Sequence, residues 1–314
     1  MRIIIDKDIP FLEGVFGSEI EVQYLSPEEI TKDKVCEVDA LFIRTRTKIN
    51  KELLEGSRVR FVATATIGFD HIDQDFCREA GIHWVSCPGC NAQAVCDYIE
   101  EAILTIERKK DITIGIVGYG HVGKLVAKMA SEKGYHVLLS DPPLGIGMTL
   151  DEMIPLCDIL TFHTPLTHKG NYATYHLCDA AILRKCKANL LIINAARGGI
   201  LDEYALIEHL QNRPGTRTVI DCWEGEPQLN KTLLEMVDLA SFHIAGYSVA
   251  GKMRASEMCL EAFCAFFSLP ILSINKKVVP LQGDSEEGWL GRISNQLKQQ
   301  PECFEQLRKA YKLR

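Results

Sequence analysis

Arg197, Glu226 and His243 are the residues of this chain whose types and spacing fit a single reaction. Each stands at or just after the end of a strand-like apolar run, with separations of 29 and 17 positions. Imidazole titrates at about 6.5, so it can take a hydroxyl proton at neutral pH. A carboxylate beside the ring favours its protonated form and fixes which nitrogen carries the hydrogen. A guanidinium can hold a carboxylate by two parallel hydrogen bonds while polarising a neighbouring carbonyl. Arg197 lies between Ala195-Ala196 and Gly198-Gly199, small residues that leave room for a ligand. Singly, the three read as a surface arginine in a glycine turn, a loop acid before Pro227 and a histidine ending a strand. Together they suit oxidation of an alcohol next to a carboxylate, provided that a hydride carrier sits nearby.

The sequence supplies a place for that carrier. Gly118-Tyr119-Gly120-His121-Val122-Gly123 follows the apolar run from Ile112 to Val117 and opens a helical pattern, with Val122, Leu125, Val126 and Met129 on one face. A second apolar run, Val137 to Leu139, leads to Asp141, 18 residues beyond Gly123. Strand, glycine turn, helix, strand and acid form a dinucleotide-binding fingerprint. The glycines let backbone approach a pyrophosphate, and the helix N-terminus offers it unpaired N–H groups. Asp141 would accept hydrogen bonds from the adenosine ribose and repel a 2′-phosphate, which predicts NAD rather than NADP.

The elements that position these residues alternate in an α/β pattern. Arg2 to Asp6, Ala40 to Arg44, Val59 to Ala65 and a short run ending at Val85 predict one small parallel sheet. Asn91 to Glu107 predicts a long helix. The runs from Ile112 and Val137 are followed by Ile159 to His163, Leu190 to Asn194, Thr218 to Cys222 and Leu239 to His243, which predicts a six-stranded doubly wound sheet. Ligands bind at the carboxyl ends of such strands, where Asp141, Thr164, Arg197, Asp221 and His243 fall. Thr149 and Glu152 have capping-box spacing before a short helix. Gly251 to Leu269 predicts a second long helix returning the chain to the first sheet. Glu302 to Lys312 predicts an amphipathic helix in a charged, Gln-rich tail.

The chain of 314 residues suits two domains; 46% of it is hydrophobic and 25% charged, enough for two cores. A formal charge of −7 disfavours generic nucleic-acid binding. The early charges at Arg2 and Asp6 leave no signal-peptide pattern, and no apolar run is long enough to span a membrane. The expectation is a cytoplasmic protein with no nucleic-acid or membrane partner. Its 12 cysteines are scattered, often within apolar runs, and read as reduced, buried residues. Cys87-Pro88-Gly89-Cys90 has no second ligand pair to complete a zinc set, so a Pro-Gly turn is expected there and no metal.

Asn194-Ala195-Ala196-Arg197-Gly198-Gly199, the run Asp221 to Pro227 (DCWEGEP) and His243-Ile244-Ala245-Gly246-Tyr247 resemble the signatures of the D-isomer-specific 2-hydroxyacid dehydrogenases. The resemblance covers about residues 1 to 270. It implies a Rossmann-type doubly wound NAD domain at 96–244 and a flavodoxin-like α/β substrate domain built from 1–95 and 245–272. Residues 273–314 are then a tail, a shortened dimerisation segment. The family's arginine, glutamate and histidine fall on Arg197, Glu226 and His243. NAD contacts are implied at Gly118, Gly120, His121, Val122, Gly123, Asp141, Thr164, Asp221 and Gly246. Phe42 to Asn50, Ala63 to His71 and Trp223 to Pro227 are similar to a member acting on a small phosphorylated 2-hydroxy acid. Substrate contacts are thereby implied at Thr45, Thr66 and Tyr247, and a homodimer for the whole. Thr45 stands among Arg44, Arg46 and Lys48, a loop suited to a phosphate, or equally a strand end with solvated charges. Strand alternation would put Arg44 and Arg46 on one side and Thr45 on the other unless the strand ends there. Two alternatives stay open: another dehydrogenase of the family, such as one for D-3-phosphoglycerate, or a non-catalytic NAD sensor or corepressor.

Overall fold

The computed structural model describes residues 1–107, 111–274 and 288–313. These form two compact units, one from 1–91 with 248–274 and the other from 92–247 with 288–313.

In the first unit, strands β1 (Arg2–Asp6), β2 (Glu21–Leu25), β3 (Ala40–Ile43), β4 (Phe61–Thr64) and β5 (His83–Val85) make a parallel sheet in the order β2-β1-β3-β4-β5. This is the flavodoxin-type order, with its switch point between β1 and β3. Strand β2, absent from the expected set, lies at the edge, and its side chains are mostly half-buried or exposed. An edge strand needs no continuous apolar run, so its sequence carried little signal. The helix Val249–Phe266 belongs here because Phe263 packs against Phe42 and Phe61, with ring centroids 5.3 and 5.9 Å away. Those aromatic contacts bring a segment from late in the chain into the first sheet's core.

The second unit contains β6 (Thr113–Val117), β7 (His136–Asp141), β8 (Ile146–Gly147), β9 (Ile159–Phe162), β10 (Leu191–Asn194), β11 (Arg217–Ile220) and β12 (Leu239–Ala240). Their order is β12-β11-β10-β9-β6-β7-β8, seven strands where six were expected. The addition is β8, a two-residue strand antiparallel to β7. The central strands β6, β9 and β10 are apolar nearly throughout and buried, as a parallel sheet covered on both faces requires. The chain runs from β6 to one side and returns to β9 on the other. The switch point therefore lies between the ends of β6 and β9, where the glycine turn and Thr164 are found.

The helix Ala92–Ile106 buries Tyr98, whose hydroxyl meets Ser241 Oγ at 2.7 Å. The expected capping box is formed by Thr149 and Glu152. Much of the C-terminal segment packs into this second core. The helix Trp289–Gln299, not expected as an element apart from the tail, buries Leu290, Ile293 and Leu297, and Ser294 Oγ accepts the amide of Ala240 on β12. The single helix expected over 302–312 is a 3-10 turn, Pro301–Cys303, followed by the helix Phe304–Ala310. Pro301 opens the turn at its first position, the place in a helix where a missing N–H costs nothing. Residues 275–287 of the expected tail lie outside the described residues.

Candidate active site

The glycine turn joins β6 to the helix His121–Glu132, with Gly120 at the N-cap and no side chain capping the first amides. A Cβ on Gly123 would stand 2.0 Å from the Gly118 carbonyl oxygen, so only glycine lets the helix approach the strand this closely. Space about Gly120 is open, and the unpaired N–H groups at the helix start face no competing side chain. His121 is exposed and Val122 half-buried, both in the first turn. Asp141 ends β7 beside them: its Oδ2 accepts the Tyr119 amide at 2.7 Å and its Oδ1 the Leu144 amide at 3.3 Å. Across the switch point, Thr164 Oγ1 is buried with no hydrogen-bond partner, next to Gly118. Burial pushes the neighbouring His163 down to about 3, so this wall is uncharged. A close-packed glycine turn, bare helix amides and an orphaned hydroxyl all fit a dinucleotide pyrophosphate.

Glu226 and His243 meet in the loops after β11 and β12, and the loop after β10 that carries Arg197 packs against the one that carries Glu226. Asn194 ends β10, and its side-chain amide donates to the carbonyls of Arg197 and Cys222 at 3.0 and 3.2 Å. A Cβ on Gly198 would stand 1.9 Å from the Trp223 carbonyl oxygen. Glycine therefore presses the arginine loop directly against the loop that carries Glu226. Arg197 is half-buried, and its Nη1 donates to the Ala196 carbonyl at 2.7 Å. The two oxygens of Glu226 are divided: Oε1 accepts the Trp223 amide at 2.7 Å and Oε2 meets His243 Nδ1 at 2.8 Å. His243 retains 30% side-chain exposure, and its backbone φ is 58°, in the left-handed region. Non-glycine residues in that region are uncommon and occur where the surroundings hold them.

What holds His243 is Asp221, 1% exposed. Its Oδ1 accepts Ser241 Oγ at 2.6 Å and the Ile244 amide at 2.8 Å, while Oδ2 accepts the Ala245 amide at 2.9 Å. The Asp221 carbonyl accepts the His243 amide at 2.9 Å. Asp221 thus anchors the turn from 241 to 245, with Gly246 half-exposed beyond it. The spacing of the sequence placed Asp221 at a strand end, but its four bonds to one turn arise only on folding.

Thr45 and Thr66 belong to the first unit. Strand β3 stops at Ile43, so Thr45 sits on a turn and the alternation constraint on Arg44 and Arg46 does not apply. Arg46 pairs with Asp8 at 2.8 Å and Glu28 at 3.3 Å, and Arg44 reaches Asp8 at 3.9 Å. Lys252 stands near them, its pKa pushed down by burial and then by Arg44. Thr66 Oγ1 donates to the Gly68 carbonyl at 2.9 Å and meets Thr64 Oγ1 at 2.7 Å, which in turn meets His71 Nε2 at 2.9 Å. Tyr247 lies in the second unit, four residues after His243.

A buried support was not visible in the sequence. Glu203 accepts the Glu224 amide at 2.8 Å, and Glu224 pairs with His176 at 3.0 Å and accepts from Tyr175 Oη at 2.9 Å. Burial pushes Glu203 up to about 7, against the Glu224 amide that favours its charge. This places an extra acid behind the Trp223–Glu226 loop. Glu203 reads in sequence as an ordinary first-turn helix acid, and nothing local marks it as buried. The cysteines among the described residues are all free. Burial raises Cys90 to about 12, and Cys87 Sγ lies 3.5 Å from Cys259 Sγ. Cys222, Glu226 and His243 offer donor atoms within 4.8 Å of one another, but Glu226 and His243 already satisfy each other there.

Residues 92–245 match the NAD binding domain of the D-isomer specific 2-hydroxyacid dehydrogenases. The fold agrees: D-mandelate dehydrogenase of Rhodotorula graminis aligns with a TM-score of 0.74 at 21% identity, over 88% of this chain and 98% of that one. The chain belongs to the D-isomer specific 2-hydroxyacid dehydrogenase family and is an NAD-dependent dehydrogenase. Within the family it is 43% identical to the erythronate-4-phosphate dehydrogenase of Bacteroides thetaiotaomicron, over 100% of this chain and 97% of that protein. Identity to the enzyme of the same name from Pseudomonas savastanoi pv. phaseolicola is 39%, over 94% of this chain and 78% of the relative.

Proposed function

We propose that this dehydrogenase oxidises 4-phospho-D-erythronate to (R)-3-hydroxy-2-oxo-4-phosphooxybutanoate with NAD, a step towards pyridoxal 5′-phosphate, the vitamin B6 cofactor. The observation that carries the reading is the His243–Glu226 pair at 2.8 Å, held beside the Arg197 loop, in a chain 43% identical to an enzyme named for this substrate.

Glu226 Oε2 accepts the hydrogen on His243 Nδ1, which leaves Nε2 free of that hydrogen and able to accept the proton of the C2 hydroxyl. Arg197 holds the substrate carboxylate and the C2 oxygen, whose negative charge grows as the proton leaves. NAD, when bound, supplies the acceptor for the hydride that departs from C2. The C2 oxygen forms a carbonyl with the electrons of its former O–H bond, and the proton rests on His243 as an imidazolium facing Glu226. Gly118, Gly120, His121, Val122 and Gly123 receive the pyrophosphate, Asp141 the ribose, and Thr164 and Gly246 the remainder of the cofactor. Asp221 acts on that side through the turn it anchors. Thr45, Thr66 and Tyr247 take the substrate. Residues 1–95 with 245–272 serve as the substrate domain and 96–244 as the NAD domain. The free cysteines suit a reducing cytoplasm, and the enzyme works there as a homodimer.

NADH formation is measured with 4-phospho-D-erythronate, D-3-phosphoglycerate and D-lactate, with a 2-oxo acid present to recycle tightly held cofactor. Strong selectivity for phosphoerythronate supports the proposal. Activity on another acid alone retains the mechanism and discards the substrate. Bound NAD with no turnover on any acid favours the sensor reading.

A further inference from the structure

Arg308 is a half-buried cation of the second unit with no part in the proposed reaction. Arg308 projects from the helix Phe304–Ala310, which is seated by buried Phe304 and Leu307. Just beyond that helix, Tyr311 packs edge-on against Phe242, the residue before His243, at 6.1 Å. Arg308 keeps 27% of its side chain exposed. Its Nε donates to Tyr247 Oη at 3.0 Å, and the guanidinium carbon lies 5.6 Å from the Tyr247 ring centroid. Nη1 reaches Glu305 Oε1 at 3.5 Å, the limit of hydrogen-bond reach. Burial works against the charge, but Tyr247, Glu226 and Glu305 outweigh it and push the pKa up. The cation is therefore permanent, and it stands near the carboxylate that holds the catalytic histidine.

A guanidinium withdrawn from water needs acceptors to replace the water it loses. A phenol hydroxyl and one marginal carboxylate contact are a thin replacement for its five donors. The planar fork matches the oxygens of a phosphate or carboxylate, and a phenol on one edge fixes its plane. By contrast, Arg46 in the first unit already has two carboxylates, at 2.8 and 3.3 Å.

We infer that Arg308, together with Tyr247, is a specificity-determining residue that receives the anionic group at the end of the substrate remote from C2. This rests on the proposed reading of a phosphorylated 2-hydroxy acid as substrate. It gives the C-terminal helix a place in the active site of its own chain.

The test compares kcat/KM for 4-phospho-D-erythronate and D-erythronate in the full-length wild type, R308Q, R308K and Y247F, with NAD affinity and melting temperature as controls for folding. Loss of a charge-assisted pair should lower kcat/KM for the phosphorylated acid in R308Q by about 10- to 100-fold. The loss should appear mainly in KM, with D-erythronate changed less than about threefold, on the same scale. R308K should recover part of the loss, and Y247F should show a smaller loss of the same kind. Equal losses on both acids in R308Q, or no loss on either, would overturn the inference and leave Arg308 as a packing residue. The substrate reading is judged separately, by wild-type rates. If the wild type prefers D-3-phosphoglycerate, that reading falls, and Arg308 is judged by the same ratio for D-3-phosphoglycerate and D-glycerate. A wild type that acts only on unphosphorylated acids overturns both.

Discussion

The strand ends of the two sheets are built in opposite ways. At the seven-stranded sheet, ionisable groups are half-buried or buried and aimed by named bonds: Asp221 fixes a turn, the turn carries His243, and Glu226 orients the ring. At the five-stranded sheet, the cations after β3 are more exposed and already paired with Asp8 and Glu28. Exposed ion pairs are worth little and rearrange readily. Chemistry that needs fixed geometry belongs with the first arrangement. A surface that need not hold one geometry tolerates the second.

The largest effect should come from removing the proposed proton acceptor. His243→Asn should lower kcat by about 100-fold or more while NAD affinity stays near wild type. Unchanged turnover would end the claim that this sheet carries the chemistry. Next is the glycine turn after β6. Gly123→Ala places a methyl 2.0 Å from the Gly118 carbonyl oxygen, and the overpacking should cost about 1–3 kcal/mol in unfolding free energy, with weakened NAD binding. A variant that melts and titrates with NAD like the wild type would show that the close approach is not required.

Glu203 offers a pH test of the buried support. Its pKa is raised from the ordinary 4.5 to about 7, chiefly by burial, so the folded protein binds its proton more tightly than the unfolded chain does. Its stabilising contribution is full below pH 4.5 and is lost as the pH rises to 7. Glu224 and Glu226 push in the same direction as burial, and His176 opposes them. Melting curves from pH 4.5 to 8 should therefore fall more steeply for the wild type than for Glu203→Gln. Parallel curves would remove Glu203 from the account.

The smallest effects should lie at the first unit. Arg46→Ala, which breaks only exposed pairs, should cost less than about 1 kcal/mol in stability. Cys90→Ala should leave kcat/KM within about twofold, since a thiol raised to about 12 is neither a thiolate nucleophile nor a ready metal ligand at neutral pH. A tenfold fall in activity in Cys90→Ala, or zinc that copurifies with the wild type and is lost in that variant, would give this loop a functional role.

Much of this was legible because parallel sheets write themselves as short apolar runs. The strand order could not be read that way, but the runs from β6 to β12 and the glycine turn could, apart from β8. Strand β2 escaped notice because an edge strand with exposed residues lacks the pattern. The C-terminal helix Trp289–Gln299 escaped because its amphipathic face is short and lies within a polar tail. At the site, Arg197, Glu226 and His243 were legible by type and motif. Glu203, Ser241 and Arg308 were not, because each gains its place through partners at least 20 positions away.

The sequence by itself determined the residue types: a glycine turn that admits a phosphate, an acid one strand later, and an arginine, glutamate and histidine after successive apolar runs. Those follow from local chemistry and a repeating pattern, so they survive in one dimension. Only the tertiary structure decided that Asp221 spends its carboxylate on the histidine turn, that Glu203 loses its water, and that Arg308 reaches Tyr247 from the C-terminal helix. Hydrogen-bond geometry and desolvation depend on what the folded chain brings alongside, and those neighbours are distant in sequence.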